Sequence, residues 1–277
     1  MPKVMNEKFN FSRFWTYFKY DLKQMWRNHA KAAIVIGGSI AFLYDIWVLF
    51  SLVFTQKWQT PSIEVRFALL TIAFTVLEFY QTRTYGYLTE KKAGSSWLMI
   101  PASRTEKFVS MLLMTLVVIP IFFFAVYFLI DGVLSLVDPT YGKALITGFT
   151  GTYKEMIDGL ASLNGESPIM FSPGAVFFMG IFGFFCNFLY FLLCGICFKK
   201  NKIVGAIAIL FGLSIVLSVL TGLIVPPLAT SFTDVNLSDD QAARYLAGFL
   251  NVVEVIICLL TVGLGWGIWR RIKTIQH

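Results

Sequence analysis

Histidine occurs only twice in this chain, at His29 and His277, and neither lies in an apolar run. There is no His-Glu-x-x-His pair and no histidine placed to activate a serine within a bilayer, so intramembrane metalloprotease and serine-protease chemistry lack their residues. A Gly-x-x-x-x-Gly-Lys-Ser/Thr loop is also missing, which excludes ATP hydrolysis by the usual phosphate-binding route. Cysteine occurs four times. Cys194 and Cys197 form a single Cys-x-x-Cys, half of a structural zinc site at most, and with only Cys186 and Cys258 besides, no metal is expected; these thiols read as small, polarizable packing groups. No cleavable signal peptide is expected, because about 30 mixed residues precede the first apolar run and no small-residue cleavage pattern follows it. No internal repeat stands out. The chain is not expected to be an enzyme.

What the chain has in quantity is apolar surface. It is 57% hydrophobic and 17% aromatic, only 14% charged, with a mean hydropathy of +0.70 over 277 residues. These values predict an all-α integral membrane protein. Six runs are long enough to span, at 32–55, 65–88, 108–130, 173–198, 203–229 and 245–269. At about 20 residues per span they use roughly half the chain, leaving no room for a large soluble domain. An even number of spans places both termini on one side, and charge decides which. Of the 23 Lys and Arg, only Lys57, Arg66, Lys143, Lys154 and Arg244 fall on the side away from the termini, so both termini are expected in the cytoplasm. The net charge of +7 therefore serves orientation, and nucleic acid is not expected as a partner.

Residues 1–31 read as a cytoplasmic N-terminus with an amphipathic helix. Phe11, Phe14, Trp15, Phe18, Leu22, Met25 and Trp26 share one helical face, while Arg13, Lys19, Lys23 and Arg27 lie off it. Rings at the acyl boundary and cations at anionic headgroups describe a helix lying in the membrane interface. The membrane domain covers 32–277. Its spans carry three carboxylates, Asp45, Glu78 and Glu254, each expected to face the bundle interior, a water-filled cavity or a headgroup region. Glu78 and Thr82, four residues apart, share a face that should line protein or water.

The most distinctive text is the connection between the second and third spans, 85–107. Glu90, Lys91 and Lys92 end the second span in water, and Gly94, Ser95 and Ser96 are expected to break the helix. Trp97, Leu98, Met99 and Ile100 then suit a short apolar turn stopped by Pro101. Ser103 followed by Glu106 matches a capping box, so the third-span helix should start near Arg104.

A basic amphipathic N-terminal helix, six spans and a connection ending in Ile100-Pro-Ala-Ser-Arg-Thr-Glu-Lys-Phe108 together resemble the permease subunits of type-2 ABC exporters. The resemblance covers the whole topology but only a short stretch of distinctive text. It implies a permease in the bacterial inner membrane that exports an amphipathic, lipid-like or peptide substrate. A separate ATPase subunit would seat on the second-to-third connection, carrying the ATP and magnesium, with no cofactor in this chain. It also implies a homodimer or a heterodimer with a sister permease, in contact with membrane lipids. By position the partner-coupling residues would be Glu90, Lys91, Lys92, Trp97, Leu98, Arg104 and Glu106. Many such permeases have a sizeable outer segment before the last span, whereas here the long outer segment is 131–172, where short helices at the outer interface are allowed. An ion-coupled secondary carrier using the three carboxylates and a non-transporting membrane scaffold remain open beside the permease.

Overall fold

The computed structural model describes residues 9–148, 151, 173–233 and 239–274. Every regular element among them is helical, as the composition predicts. They are α1 (Phe11–Gly37), α2 (Ser39–Thr55), α3 (Ile63–Thr84), a 3-10 turn (Gly86–Thr89), α4 (Lys91–Met99), α5 (Arg104–Leu113), a π-helical segment (Met114–Val118), α6 (Ile119–Val137), a second 3-10 turn (Pro139–Tyr141), α7 (Pro173–Cys197), α8 (Lys202–Thr233) and α9 (Asp239–Thr274).

Four described stretches are long and apolar enough to cross a membrane: Phe11–Thr55, Arg104–Val137, Phe178–Cys197 and Asn251–Thr274. A shorter apolar piece, Lys202–Val216, belongs to α8. By length α3 qualifies, at 22 residues, but its Glu64, Arg66, Glu78 and Arg83 lower its apolarity. The reason is positional. This helix packs against α1, α2, α7 and α8, and its buried residues include Arg66, Glu78, Gln81, Thr82 and Thr84, so its polar face meets protein. The expected common face of Glu78 and Thr82 is thereby borne out.

Two boundaries differ from the sequence reading. No break occurs between the N-terminal helix and the first apolar run at residue 31. Ala30, Ala32 and Ala33 are strong helix formers, and α1 continues to Gly37 before the chain turns at Gly38. Gly37 lies against α6, where a Cβ would sit 3.0 Å from Val126 Cγ1. Nor do Gly94, Ser95 and Ser96 break a helix: α4 runs through them, from Lys91 to Met99. It starts after Glu90 and is closed at its far end by a lysine of the next helix, described below.

The helix expected after the capping box begins at Arg104, but it is not uniform. Pro120 has no N–H to offer the carbonyl of Leu116, and the helix widens just ahead of it into the π segment, where the Ile119 N–H reaches back to the Met114 carbonyl.

Two of the three apolar clusters among the described residues join the connection and the middle of the bundle. One gathers Tyr85, Leu88, Trp97, Met111, Leu192 and Ile268 and so joins the 85–107 connection to α5, α7 and α9. The other, including Ile40, Leu77, Phe123, Tyr127 and Phe188, lies farther along α3 and α6. At the end of the bundle away from the connection, Asp131 is fully buried against Arg66 at 3.0 Å. There Asp138 accepts from Tyr44 Oη at 2.8 Å, Trp58 Nε1 at 3.0 Å and the Thr140 backbone and hydroxyl. These bonds, led by that of the Thr140 hydroxyl, hold its carboxyl down at about 2. Residues 149–150 and 152–172 of the long outer segment lie outside the described residues, as does most of the expectation of short helices there.

Candidate functional site

The connection is built into the protein by α1. Asn10 caps α1, its side-chain oxygen accepting from the N–H groups of Ser12 at 3.0 Å and Arg13 at 3.3 Å. From there Arg13, Tyr17 and Asp21, spaced by four, present one face of the helix. Each reaches a different part of the connection. The Arg13 guanidinium donates to Glu106 through Nε at 2.7 Å and Nη2 at 2.6 Å. The Tyr17 hydroxyl accepts from Trp97 Nε1 at 3.0 Å. The Asp21 carboxyl accepts from Tyr85 Oη at 2.7 Å and Ser110 Oγ at 2.6 Å. These three rungs tie α1 to the start, middle and end of one connection.

Glu106 is the most heavily bonded of these groups. It closes the predicted capping box, accepting from the Ser103 N–H at 2.8 Å while Ser103 Oγ accepts from the Glu106 N–H at 3.2 Å. It also accepts from the Asn10 N–H at 2.9 Å. Next to it, Lys107 Nζ donates to the carbonyl of Trp97 at 2.7 Å and lies 4.6 Å from the centre of the Trp97 ring. A cation on the last carbonyls of α4 completes the C-terminus of that helix. Burial pushes the Lys107 ammonium down to about 8, with the charge of Arg104 adding to it.

On its other side the connection is held by Lys202, at the start of α8, which donates to the Gly86 carbonyl and to Thr89 Oγ1. Arg104 Nη1 donates to the Lys273 carbonyl at 3.2 Å, reaching the last turn of α9.

The seven residues expected to couple to a partner therefore divide. Trp97, 3% exposed, and Glu106, fully buried, turn inward and bond to α1, which corrects the expectation that they present themselves to another subunit. The reason is physical: a buried indole N–H and a buried carboxylate require partners, and α1 supplies them. Leu98 is half-buried against the apolar cluster, whereas Glu90 and Arg104 are exposed. Lys91 and Lys92 form the first turn of α4. The outward face also carries Met99, 83% exposed, and the exposed Pro101. Beside it a cleft of about 730 Å³ opens between α1 and the connection, lined by Arg13, Thr16, Tyr20, Ile100 and Pro101 among others.

The aromatic stripe of α1 divides too. Phe14 and Phe18 pack inward, while Phe11, Trp15, Leu22 and Trp26 are exposed, leaving an apolar face with Lys19 set 5.4 Å from the Trp15 ring. Of the three carboxylates in apolar runs, Glu78 is buried and accepts weakly from Asn187 Nδ2 at 3.4 Å. Glu254 is half-buried, and Asp45 is exposed on α2, which sets aside the bundle interior among its three expected surroundings. All four cysteines are free thiols, with Cys194 buried and Cys197 exposed.

Sequence reasoning missed Tyr17, Asp21, Tyr85, Lys107 and Lys202. One signal was present: Asp21 is the sole acidic residue of α1.

The Glu106 contacts predict an acid transition. Burial pushes its carboxyl up, but the Arg13 hydrogen bonds, the N–H groups of Asn10 and Ser103 and the Arg13 charge outweigh burial and hold it down at about 2, below the ordinary 4.5. A carboxyl whose value is lower in the folded state stabilises fully above its unfolded value and loses that contribution as pH falls through the folded one. The protection of residues 10–21 from hydrogen exchange, taken relative to the intrinsic rate at each pH, should therefore stay high at pH 5 and fall between pH 4.5 and about 2. In Glu106→Gln it should already be low at pH 5. Identical profiles for the two proteins would remove the Arg13 rung from the account.

No known protein family, curated protein or solved structure matches the chain.

Proposed function

We propose that this chain is the membrane permease subunit of an ABC-type exporter, with both termini in the cytoplasm of a bacterial inner membrane. A separate ATPase drives it by seating on the 85–107 connection. α3 and part of α8 complete six spans, and two such subunits, identical or sister, form the pathway. The observation that carries this reading is a connection braced on its inner side, with Met99 and Pro101 exposed on its outer side. Its inner side is bonded to α1, α5 and α8, and its ends continue into α3 and, through a capping box, into the α5–π–α6 helix. Displacement of such a body is transmitted to the helices it joins. Its exposed residues include an apolar one, Met99, and the charged Glu90 and Arg104, a composition suited to a protein partner. The exposed position of Asp45 gives the carrier reading less support than the permease reading.

Met99→Glu tests it. Affinity purification from native membranes should recover an ATPase with the wild-type chain and at least about tenfold less with the variant, since a charge placed in the apolar centre of an interface is left unpaired. The variant should keep the melting temperature of the wild type, because Met99 is exposed. ATPase recovery that is equal for both, or absent from the wild type, would refute the docking claim.

A further inference from the structure

A second cleft, of about 480 Å³, runs along the opposite flank of α1 and is closed by the end of the π segment and α6. Its walls are apolar, formed by Leu22, Trp26, Ala30 and Ala33 of α1 with Val118 and Phe122. Trp26 and Phe122 meet edge to face, with ring centres 5.3 Å apart. Among the described residues, the ammonium groups lining it are those of Lys19 and Lys23, one helical turn apart and both exposed, at the end nearer the N-terminus, and His29, bonded to Tyr80 Oη at 2.7 Å, lies farther along. From Lys19 to Ala33 the helix rises about 21 Å, the length of an extended acyl chain, at about 1.5 Å per residue.

We propose that this cleft is a binding site for one anionic phospholipid, with an acyl chain along the apolar walls and the phosphate between Lys19 and Lys23. Charge and shape argue together. Two ammonium groups at one end of a long hydrocarbon-walled groove complement an anionic headgroup carrying a chain, and they do not complement a chain alone. The site lies on a helix whose exposed aromatic face suits the membrane boundary, where such lipids are present. It does not depend on the transport reading. Because Val118 belongs to the π segment and Phe122 to the helix beyond it, the lipid would wedge α1 against the least regular part of the third-span helix.

The test is native mass spectrometry of the full chain in detergent, with phosphatidylglycerol or phosphatidylcholine of matched chains added. Wild type should retain the anionic lipid preferentially, and Lys19→Gln with Lys23→Gln should lower that retention by about 30-fold, two basic side chains being removed from an anionic group. Ala30→Trp, which fills the groove and leaves both lysines, should lower retention of either lipid. Arg27→Gln with Lys31→Gln removes the same charge from α1 outside the groove and should retain the lipid like wild type. Each variant is first shown to be monodisperse with an unchanged melting temperature. Equal retention of the two lipids by wild type would overturn the site. So would equal loss in both charge variants, or a dimer mass free of lipid, which would mean that a second copy of the chain fills the groove.

Discussion

Asp131→Ala is expected to lower stability by about 3–5 kcal/mol, the cost of leaving a buried charge without its counter-charge. Both members of the pair are nearly inaccessible, with side-chain exposures of 2% for Arg66 and 1% for Asp131. The carboxylate also accepts from Tyr141 Oη at 2.9 Å and from the Leu145 N–H at 2.5 Å, so its loss orphans two further donors. Arg66 retains the Lys143 carbonyl at 3.1 Å and the face of the Tyr141 ring at 4.2 Å, which are weak substitutes for an anion. Its Nε already lacks a hydrogen-bond partner among the described residues. Replacing both members, Arg66→Met with Asp131→Leu, should recover most of the loss, because desolvation offsets much of what a buried pair contributes. Thermal unfolding in detergent reads the comparison. If Asp131→Ala melts with wild type, the pair does not hold α3 to α6.

Gly195→Ala should cost about 3 kcal/mol, at the upper end of ordinary overpacking. A Cβ at Gly195 would overlap the Thr82 carbonyl oxygen and lie 2.9 Å from Thr82 Cα. The obstruction is backbone, which has no rotamer to yield, so α3 and α7 would have to separate. Gly183→Ala in the same helix is the control: a Cβ there meets nothing within 4 Å. That change should leave the melting temperature unchanged or raise it, since alanine is the better helix former by about 1 kcal/mol. Equal melting of the two variants would show that the close approach of α3 and α7 is not required.

What could be read in the sequence followed the range of the interaction. The Ser103–Glu106 capping box spans three residues, and it located the start of α5 near Arg104, where the helix begins. Glu78 and Thr82 share a face because of helical periodicity alone, and the exposed rings of Phe11, Trp15 and Trp26 follow the same rule. Arg13, Tyr17 and Asp21 find partners 93, 80, and 64 and 89 residues away. No local pattern encodes those pairings. Arg13 looked like one more headgroup cation, and Arg66 like a topological charge, because burial of a cation is decided by a carboxylate elsewhere in the chain. Trp97 was legible as an apolar residue in a polar stretch, but its direction was not, since inward and outward turns of a short helix have the same composition. The continuity of α4 through Gly94, Ser95 and Ser96 reflects tertiary support, chiefly the Lys107 ammonium on its last carbonyls, which propensity does not contain.

The spacing of the three rungs on α1 has a mechanical meaning. Residues four apart on an α-helix advance about 400°, so each rung is turned about 40° from the last, and the set from Arg13 to Asp21 winds about 80° over some 12 Å. The attachment line is thus a steep right-handed screw thread. A load that slides the connection along α1 must also turn one against the other, so thrust arriving at α4 reaches α1 partly as torque.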